Sequence, residues 1–588
     1  MMSKWLIRQS TCNIDMLSRE TGIDPVIVHI LAVHGYRNPE AIKSFLNAEN
    51  LPFASANLFR DMGKAVDYLA KAICGQKLIA IFGDYDADGL TSTAILYLAI
   101  KKLGGNISYY IPERSKEGYG LNNEAIQLLH SRGVELILAC DNGISCHQQV
   151  EYANSLGICL LILDHHSVPQ KEGQDNIPFA HAVVNPHRQD CAYPFKYYCA
   201  GGLSYRFAEE LFRHFNAPWQ DIKPQLLALA TIATICDLVE LTGENRTLVK
   251  QGLPQITTCN NPGLSALLSA TGLLEQEINT FHIGYIIGPC INACGRLGMA
   301  DMAVDLFTTC DPAQAMLLAS HLISLNNSRK EITNSGTMEA IKEVEDGGYQ
   351  EDKVIVISSE RIQESVAGII AGKVRERYNR PTLVFGGGQD ILHGSGRSID
   401  VYNMALALSL CEDIIIQYGG HPMAVGLTIQ RNNIGLLRKR LNETCQMTWE
   451  DMIPCYRIDK QLPLHQANLR LALQLKIFEP FGKGNYPPYF ADKDVHLLKI
   501  RLMGQNQQTM RLTCRSRGGG AMAIISFEHR LQLEQALEQN YGLGTWQRLL
   551  DGREEKVVWD LIYTIEVNEY NGSKSLQLKL VDFRFPEK

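Results

Sequence analysis

Short apolar runs alternate with amphipathic stretches through the first half of the chain. Leu78–Phe82 (LIAIF) has the length and residue types of a buried strand and runs into Gly83–Gly89 (GDYDADG), then into a helix-like stretch, Thr91–Leu103. The pattern recurs. Val134–Cys140 (VELILAC) runs into Asp141-Asn142-Gly143, and Ile158–Leu163 (ICLLIL) into Asp164-His165-His166. Upstream, residues 58–75 have helical periodicity closed by Gly75. Strands alternating with helices predict a parallel sheet covered on both faces, with ligands bound outside the carboxyl ends of the strands. Each of the three predicted strands ends at an acid. Leu226–Cys236 (LLALATIATIC) reads as a buried helix that delivers Asp237.

Residues 312–345 form a long, mostly polar helical stretch that suits a connector. A second α/β block follows: strand Val354–Ile357, helix Val366–Tyr378, strand Thr382–Phe385 and a Gly-rich close, Gly386–Gly396. Beyond about residue 465 the pattern changes to short β runs, Val495–Leu502, Met510–Cys514, Met522–Ile525, Val557–Ile565 and Leu576–Phe583, with a helix-like insert around 528–538. That is the pattern of a small β-barrel. The expected organisation is a helical lead-in over 1–77, α/β blocks over 78–240 and 351–462 joined by a helical connector over 241–350, and a barrel over 463–588.

A length of 588 residues fits about four domains. The composition, 45% apolar and 20% charged, is that of a globular protein. A net charge of −7 argues against a strongly basic, nucleic-acid-coating protein. The charge is uneven, however: residues 78–240 carry 11 basic and 18 acidic side chains, which equals the whole imbalance. Sixteen scattered cysteines include no C-x-x-C pair, so neither a disulfide framework nor a zinc site is expected. With no signal-like or membrane-spanning apolar run, a reducing cytoplasm is the expected compartment.

Three carboxylates in five residues, Asp84, Asp86 and Asp88, repel one another unless cations neutralise them, and hard divalent cations take oxygen ligands. An EF-hand loop also starts D-x-D-x-D-G, but its twelfth position requires Glu and here is Ile95. Asp141, the Asp164-His165-His166 triplet and Asp237 add further strand- and helix-end groups. Asp and His together suit Mn²⁺ or Mg²⁺ better than zinc. Two such metals sharing a carboxylate promote in-line hydrolysis at phosphorus. No P-loop is present; Gly368–Val374 (GIIAGKV) has the wrong spacing. Metal-assisted hydrolysis therefore fits better than nucleotide-triphosphate-driven work.

Ile81–Ser92 (IFGDYDADGLTS), the Asp-His-His triplet, Thr234–Leu238 (TICDL) and Gly419–Leu427 (GGHPMAVGL) together resemble the DHH phosphoesterase superfamily. Within it the chain is similar to the bacterial single-strand-specific exonucleases. Asp61–Ala72, Asn185–Phe195 (NPHRQDCAYPF), Asn292–Gly298 (NACGRLG), Gly394–Ile399 (GSGRSI) and Pro480–Pro487 (PFGKGNYP) extend the resemblance almost end to end. It implies an α/β protein with a parallel-sheet DHH phosphoesterase domain, a linking helix, a second α/β DHH-associated domain and a C-terminal OB-like β-barrel.

The implied activity is Mn²⁺- or Mg²⁺-dependent degradation of single-stranded DNA from the 5′ end to mononucleotides, in recombination and repair. Carried over by position, Asp84, Asp86, Asp88, Asp141, His165 and Asp237 would hold two divalent cations, with Asp141 bridging. The split among Asp84, Asp86 and Asp88 stays open, because many superfamily members have His where this chain has Phe82. His166 would contact the phosphate or protonate the leaving oxygen. Arg296, Ser395, Arg397 and His421 would grip substrate phosphates. In the barrel, Phe481, Tyr486, Tyr489 and Phe490 are candidates for base stacking, and Arg511, Arg515 and Arg517 for tracking phosphates. If the two α/β blocks face each other, the cleft should admit one strand but not a duplex. A monomer is expected, with a single-strand-binding protein and a helicase as candidate partners and no membrane association.

Two features depart from the related sequences. The usual Trp-His pair and one Gly before the second block's first helix are missing around Arg361–Ile369, and Cys290 stands where Arg is common. The competing readings are a phosphodiesterase for short oligonucleotides or cyclic dinucleotides, and a catalytically silent DNA-binding scaffold.

Overall fold

Alternation within the apolar runs decides how they pack. Ile79 and Ile81 point into one hydrophobic cluster with Leu136, Leu138, Leu161 and Leu163. Ala80 and Phe82 point into another with Ile137, Ala139, Leu160 and Ile162. A strand buried on both faces belongs in the middle of a covered parallel sheet. In the structure, a computed structural model, Leu78–Phe82 (β1), Asn106–Tyr110 (β2), Leu136–Cys140 (β3), Cys159–Leu163 (β4) and Ala182–Val184 (β5) form such a sheet, in the order β2-β1-β3-β4-β5. All its pairs are parallel. The edge strands β2 and β5 escape the sequence pattern because one is polar (NISYY) and the other is three residues long. The structure describes residues 3–114, 116–504, 506–553, 556–570 and 572–586.

The helix after β1, Ala87–Lys102 (α1), starts four residues earlier than its apolar pattern suggests. Asp86 is the reason. Its Oδ1 accepts the N–H groups of Asp88 (2.9 Å) and Gly89 (3.1 Å), an N-cap that starts the helix inside the acidic run. Ala200–His214 (α2), Lys223–Cys236 (α3) and Gly288–Arg296 (α4) complete the helices that bear on the site. The connector is one 35-residue helix, Pro312–Asp346 (α5), capped by Asp311. It buries Ala315, Ala319 and Leu322 in the first core and Ala340 and Val344 in the core of the second block.

That block is a five-stranded sheet of Ile355–Ser359 (β6), Thr382–Gly386 (β7), Ile391–Arg397 (β8), Ile415–His421 (β9) and Ala424–Gln430 (β10), in the order β9-β10-β8-β7-β6, with Ala367–Tyr378 (α6) packed against it. The Gly-rich close expected from the sequence contains a strand, β8. Gly394 and Gly396 share one face of it, where a Cβ would lie 2.4 Å from the Phe385 ring and 2.3 Å from Met404 Sδ. The glycines clear that face for packing and leave Ser395 and Arg397 on the other.

By internal contacts the chain divides into two units. One comprises Glu49–Met452 with Gly482–Gly484, and the other comprises Met1–Ala48, Ile453–Phe481 and Asn485–Lys588. In the second unit, Phe490–Met503 (β11), Thr509–Arg515 (β12), Ala521–Ser526 (β13), Val557–Tyr570 (β14) and Ser573–Arg584 (β15) form a barrel, in the order β11-β12-β13-β15-β14, closed by pairing of β11 with β14. Leu17, Ile27, Ile30 and Ile42 from the N-terminal helices enter the barrel's core. Lys4–Ile7 pairs in parallel with Cys455–Ile458.

Candidate metal centre

The carboxyl ends of β1, β3 and β4 bring three segments together, and α3 adds a fourth. Asp84 and Asp141 are buried, 2% and 3% exposed. Asp88 sits in the first turn of α1, where its carboxylate accepts the N–H groups of Ala200 (2.8 Å) and Gly201 (2.7 Å). Those amides open α2, so a helix N-terminus fixes this carboxylate's direction. Asp141 adopts φ 64°, a left-handed conformation uncommon outside glycine and concentrated at functional sites. The Tyr119 hydroxyl donates to its carbonyl oxygen at 2.7 Å. Asp237 closes the C-terminal end of α3. His165 Nε2 lies 3.2 Å from Asp141, 3.5 Å from Asp88 and 3.8 Å from Asp237.

The ligand atoms fall into overlapping groups: Asp84, Asp86 and Asp141; Asp88, His165 and Asp237; and Asp141, His165 and His166, each within 4.8 Å. This grouping bears on the split among the three acids. Asp84 and Asp86 lie with Asp141, whereas Asp88 lies with His165 and Asp237. Asp141 reaches both sets, since it also lies beside His165.

The electrostatics favour bound cations. Burial first, and then neighbouring carboxylates, push Asp84, Asp141 and Asp237 well above the usual range. The same two causes push Asp88 up to about 6. One oxygen of Asp84 is buried without a hydrogen-bond partner. A desolvated, unpartnered carboxylate is costly, and a divalent cation in each group would satisfy it. The donor set, mostly oxygen with one or two imidazoles, fits Mn²⁺ or Mg²⁺. The two histidines differ. Burial and then the charge of His166 pull His165 down to about 3, the neutral form that a metal ligand needs. Burial would also lower His166, but the Asp164 carboxylate, 2.8 Å from its Nδ1, raises it to about 9. Asp164 is itself 1% exposed and also accepts the Ile144 N–H at 2.9 Å. Burial would raise it, yet the His166 hydrogen bond holds it at about 2.

Arginines from the first block, the connector and the second block gather near one another. Arg296 Nη1 donates to the Ser365 carbonyl at 3.2 Å, joining the end of α4 to the segment before α6. A Cβ on Gly368 would meet Arg397 Nη2 at 2.9 Å and Ser395 Oγ at 3.0 Å, so these two side chains meet at the start of α6. Burial, then Arg114 and Arg397, lower Arg296 to about 10. Arg114 also stands 5.3 Å from the Tyr85 ring centroid. Among the described residues no carboxylate lies within ion-pair distance of Arg114, Arg296 or Arg397. Like charges gathered without carboxylate partners favour the approach of an anion. His421 ends β9 close enough for His165 to feel its charge.

Sequence reasoning missed Arg114 and Tyr119, which lie in an irregular polar loop with no period to mark them. Asn142, whose Nδ2 ties the Cys140 carbonyl (2.9 Å) to that of Gly83 (3.2 Å), and Asn292, whose Oδ1 accepts the Ala87 N–H (2.8 Å), stood inside quoted motifs without a role.

In the barrel, Phe490 is fully buried with its ring 5.8 Å from that of Tyr563, so it is core and is not available for stacking. Phe481 and Tyr489 pack on core clusters, while Tyr486 is 61% exposed. Arg511 and Arg515 are exposed on β12, and Arg517 is exposed just beyond it. Arg511 stands directly opposite Arg501 of β11, a like-charge pair that favours a polyanion on this face.

Sequence models of three families match the chain: the DHH family N-terminal domain over residues 78–234, the DHHA1 domain over 351–447 and the RecJ OB domain over 458–582. The single-stranded-DNA-specific exonuclease RecJ of Bacillus subtilis is 32% identical over 584 residues, covering 98% of this chain and 70% of that protein. That of Escherichia coli is 31% identical, covering 96% of each. Among solved structures, RecJ of Thermus thermophilus in complex with Mn²⁺ matches with a TM-score of 0.81 at 24% identity, over 100% of this chain and 80% of that one. A manganese-bound exonuclease RecJ matches with a TM-score of 0.57 at 30% identity, over 67% of this chain and 94% of that one.

Proposed function

Because this chain belongs to the RecJ family of DHH phosphoesterases, we propose that it hydrolyses single-stranded DNA from the 5′ end to mononucleotides, in recombination and repair. The observation that carries the reading is the set of clustered ligand groups joined through Asp141 and His165, faced by arginines that have no carboxylate partner among the described residues. Asp84, Asp86 and Asp141 would hold one divalent cation, Mn²⁺ or Mg²⁺, and Asp88, His165 and Asp237, with Asp141 beside them, would hold the other. When bound, such a pair activates water and neutralises charge developing on phosphorus. Asp141, fixed through its carbonyl by Tyr119, sets the separation of the two groups. His166, kept protonated by Asp164, donates its proton to the leaving 3′ oxygen. Arg296, Arg397 and Ser395 grip the phosphate at the strand's end, with Arg114 beside them and His421 facing the centre.

The complete ligand set speaks against a silent scaffold, and the matched RecJ OB domain speaks against an enzyme confined to dinucleotides. Sixteen free thiols suit a reducing cytoplasm, where the enzyme meets DNA. Among the described residues no helix is long and apolar enough to cross a membrane. A helicase and a single-strand-binding protein are the proposed suppliers of its substrate, on which it works as a monomer.

Charge-assisted hydrogen bonds are worth about 1.5–3 kcal/mol each. Arg397→Ala is therefore expected to raise KM for 5′-phosphorylated single strands by roughly tenfold or more, with a smaller effect on 5′-hydroxyl strands. Steady-state kinetics on the two substrates checks this; equal effects on both would remove Arg397 from the end-binding site.

A further inference from the structure

The Pro480–Pro487 segment has no part in the chemistry described above, yet its centre lies at the metal centre's rim. Gly482–Gly484 groups with the catalytic unit, although the residues on either side of it group with the barrel. Three contacts clamp the tripeptide against the loop that follows Asp237. The Lys483 carbonyl oxygen accepts the Leu241 N–H at 2.8 Å. A Cβ on Gly482 would stand 2.6 Å from Leu241 Cδ1, so any other residue there would push the Leu241 side chain aside. Gly484 adopts φ +78°, where a Cβ would meet Glu240 and Thr242 at 3.3 Å. Gly484 is thus favoured by its backbone conformation and Gly482 by its close contact with Leu241.

Between them, the Lys483 side chain is exposed and near enough to the Asp237 carboxylate for its charge to be felt there. It is not an ion pair. Among the described residues no carboxylate lies within ion-pair distance of its ammonium. The backbone is therefore held against the loop after Asp237 while the ammonium has no carboxylate partner among the described residues and acts electrostatically on Asp237. An ammonium so placed is a point charge suited to a phosphate.

We propose that Lys483 is a substrate-binding residue, presented at the rim beside Asp237 by the clamped Gly-Lys-Gly turn, and that it takes a phosphodiester of the bound single strand neighbouring the one at the metals. This role rests on the nuclease reading above and adds a contact on the Asp237 side, away from the Arg296–Arg397 cluster. The ligand class is a polyanionic strand, and the contact makes cutting depend on nucleotides beyond the scissile bond.

The test is kcat/KM on single-stranded DNA across a salt series, for the full-length protein and for Lys483→Ala and Lys483→Arg. Each phosphate contact to a single strand contributes about 0.7 to the salt slope. Lys483→Ala is expected to raise KM several-fold, hold kcat within about twofold and flatten the log–log slope by about 0.7, with Lys483→Arg restoring both. Manganese affinity and Tm should stay at wild-type values. An unchanged slope, or a loss of manganese affinity that follows the loss of activity, would overturn the proposal, since Lys483 would then only support the Asp237 loop. Absence of single-strand cleavage by the wild-type protein would instead refute the nuclease reading itself.

Discussion

Asp141→Ala is expected to lower kcat by about a thousandfold or more, equivalent to roughly 4 kcal/mol of transition-state stabilisation. Asp141 groups with Asp84 and Asp86 on one side and, on the other, lies 3.2 Å from His165, which groups with Asp88 and Asp237, so its loss should weaken both cations together. The metal-free protein should respond in the opposite sense. Burial, then Asp88 and Asp86, push the Asp141 carboxyl upward, so ionising it at neutral pH destabilises the empty site. Removing it should therefore raise the Tm of metal-free protein while abolishing the further rise that Mn²⁺ gives the wild type. Calorimetric Mn²⁺ titration and thermal unfolding with and without metal check both parts. Near-normal activity, or an undiminished Mn²⁺ shift, would show that Asp141 does not bridge.

The second large effect is expected from Asp164→Asn, a residue outside the ligand set. His166 is raised to about 9 because Asp164 overcomes the effect of burial. A group with its folded pKa above its unfolded value near 6.5 contributes stability that is full below 6.5 and lost as pH rises through about 9. Bound cations repel the imidazolium, so the alkaline limb of kcat should lie at or below pH 9. Without the carboxylate the limb should move toward 6.5, and kcat at pH 8 should fall by roughly a hundredfold or more, the usual scale for a lost general acid. Asp164 itself is held at about 2, so its own contribution is present above an ordinary carboxyl pKa and is lost only as pH falls through about 2. An unmoved limb would mean that another group delivers the proton.

Much of this was legible in the sequence where apolar period and acid position coincide. β1, β3 and β4 were marked by runs buried on both faces, and each delivers an acid to the same edge. The chemistry between those acids was not legible, because it depends on directions that three-dimensional contacts set. Asp88 precedes the helix that the apolar pattern marks from Thr91, and only the Asp86 cap places it in a helix, facing the first amides of α2. Asp164 was read with its histidine neighbours, yet its buried carboxylate turns inward to Ile144 and His166. β8 was hidden because glycine is a poor strand signal, although here it clears space for Phe385 and Met404. Phe490 had the composition of a stacking aromatic and proved to be core. The −7 charge, which first speaks against a nucleic-acid partner, belongs to the segment holding all five aspartates proposed as ligands, Asp84, Asp86, Asp88, Asp141 and Asp237, and two divalent cations bound there would offset four of those charges.

The central claim, that a two-cation site here removes nucleotides from the 5′ end of a single strand, is tested most directly by digesting one 5′-labelled DNA as a single strand and as a blunt duplex, with Mn²⁺ and with EDTA. The account predicts that label leaves the single strand at once as a mononucleotide in Mn²⁺, that none is released in EDTA, and that the duplex is degraded far more slowly. Label persisting on progressively shortened strands, equal rates on the duplex, or release in EDTA would contradict it.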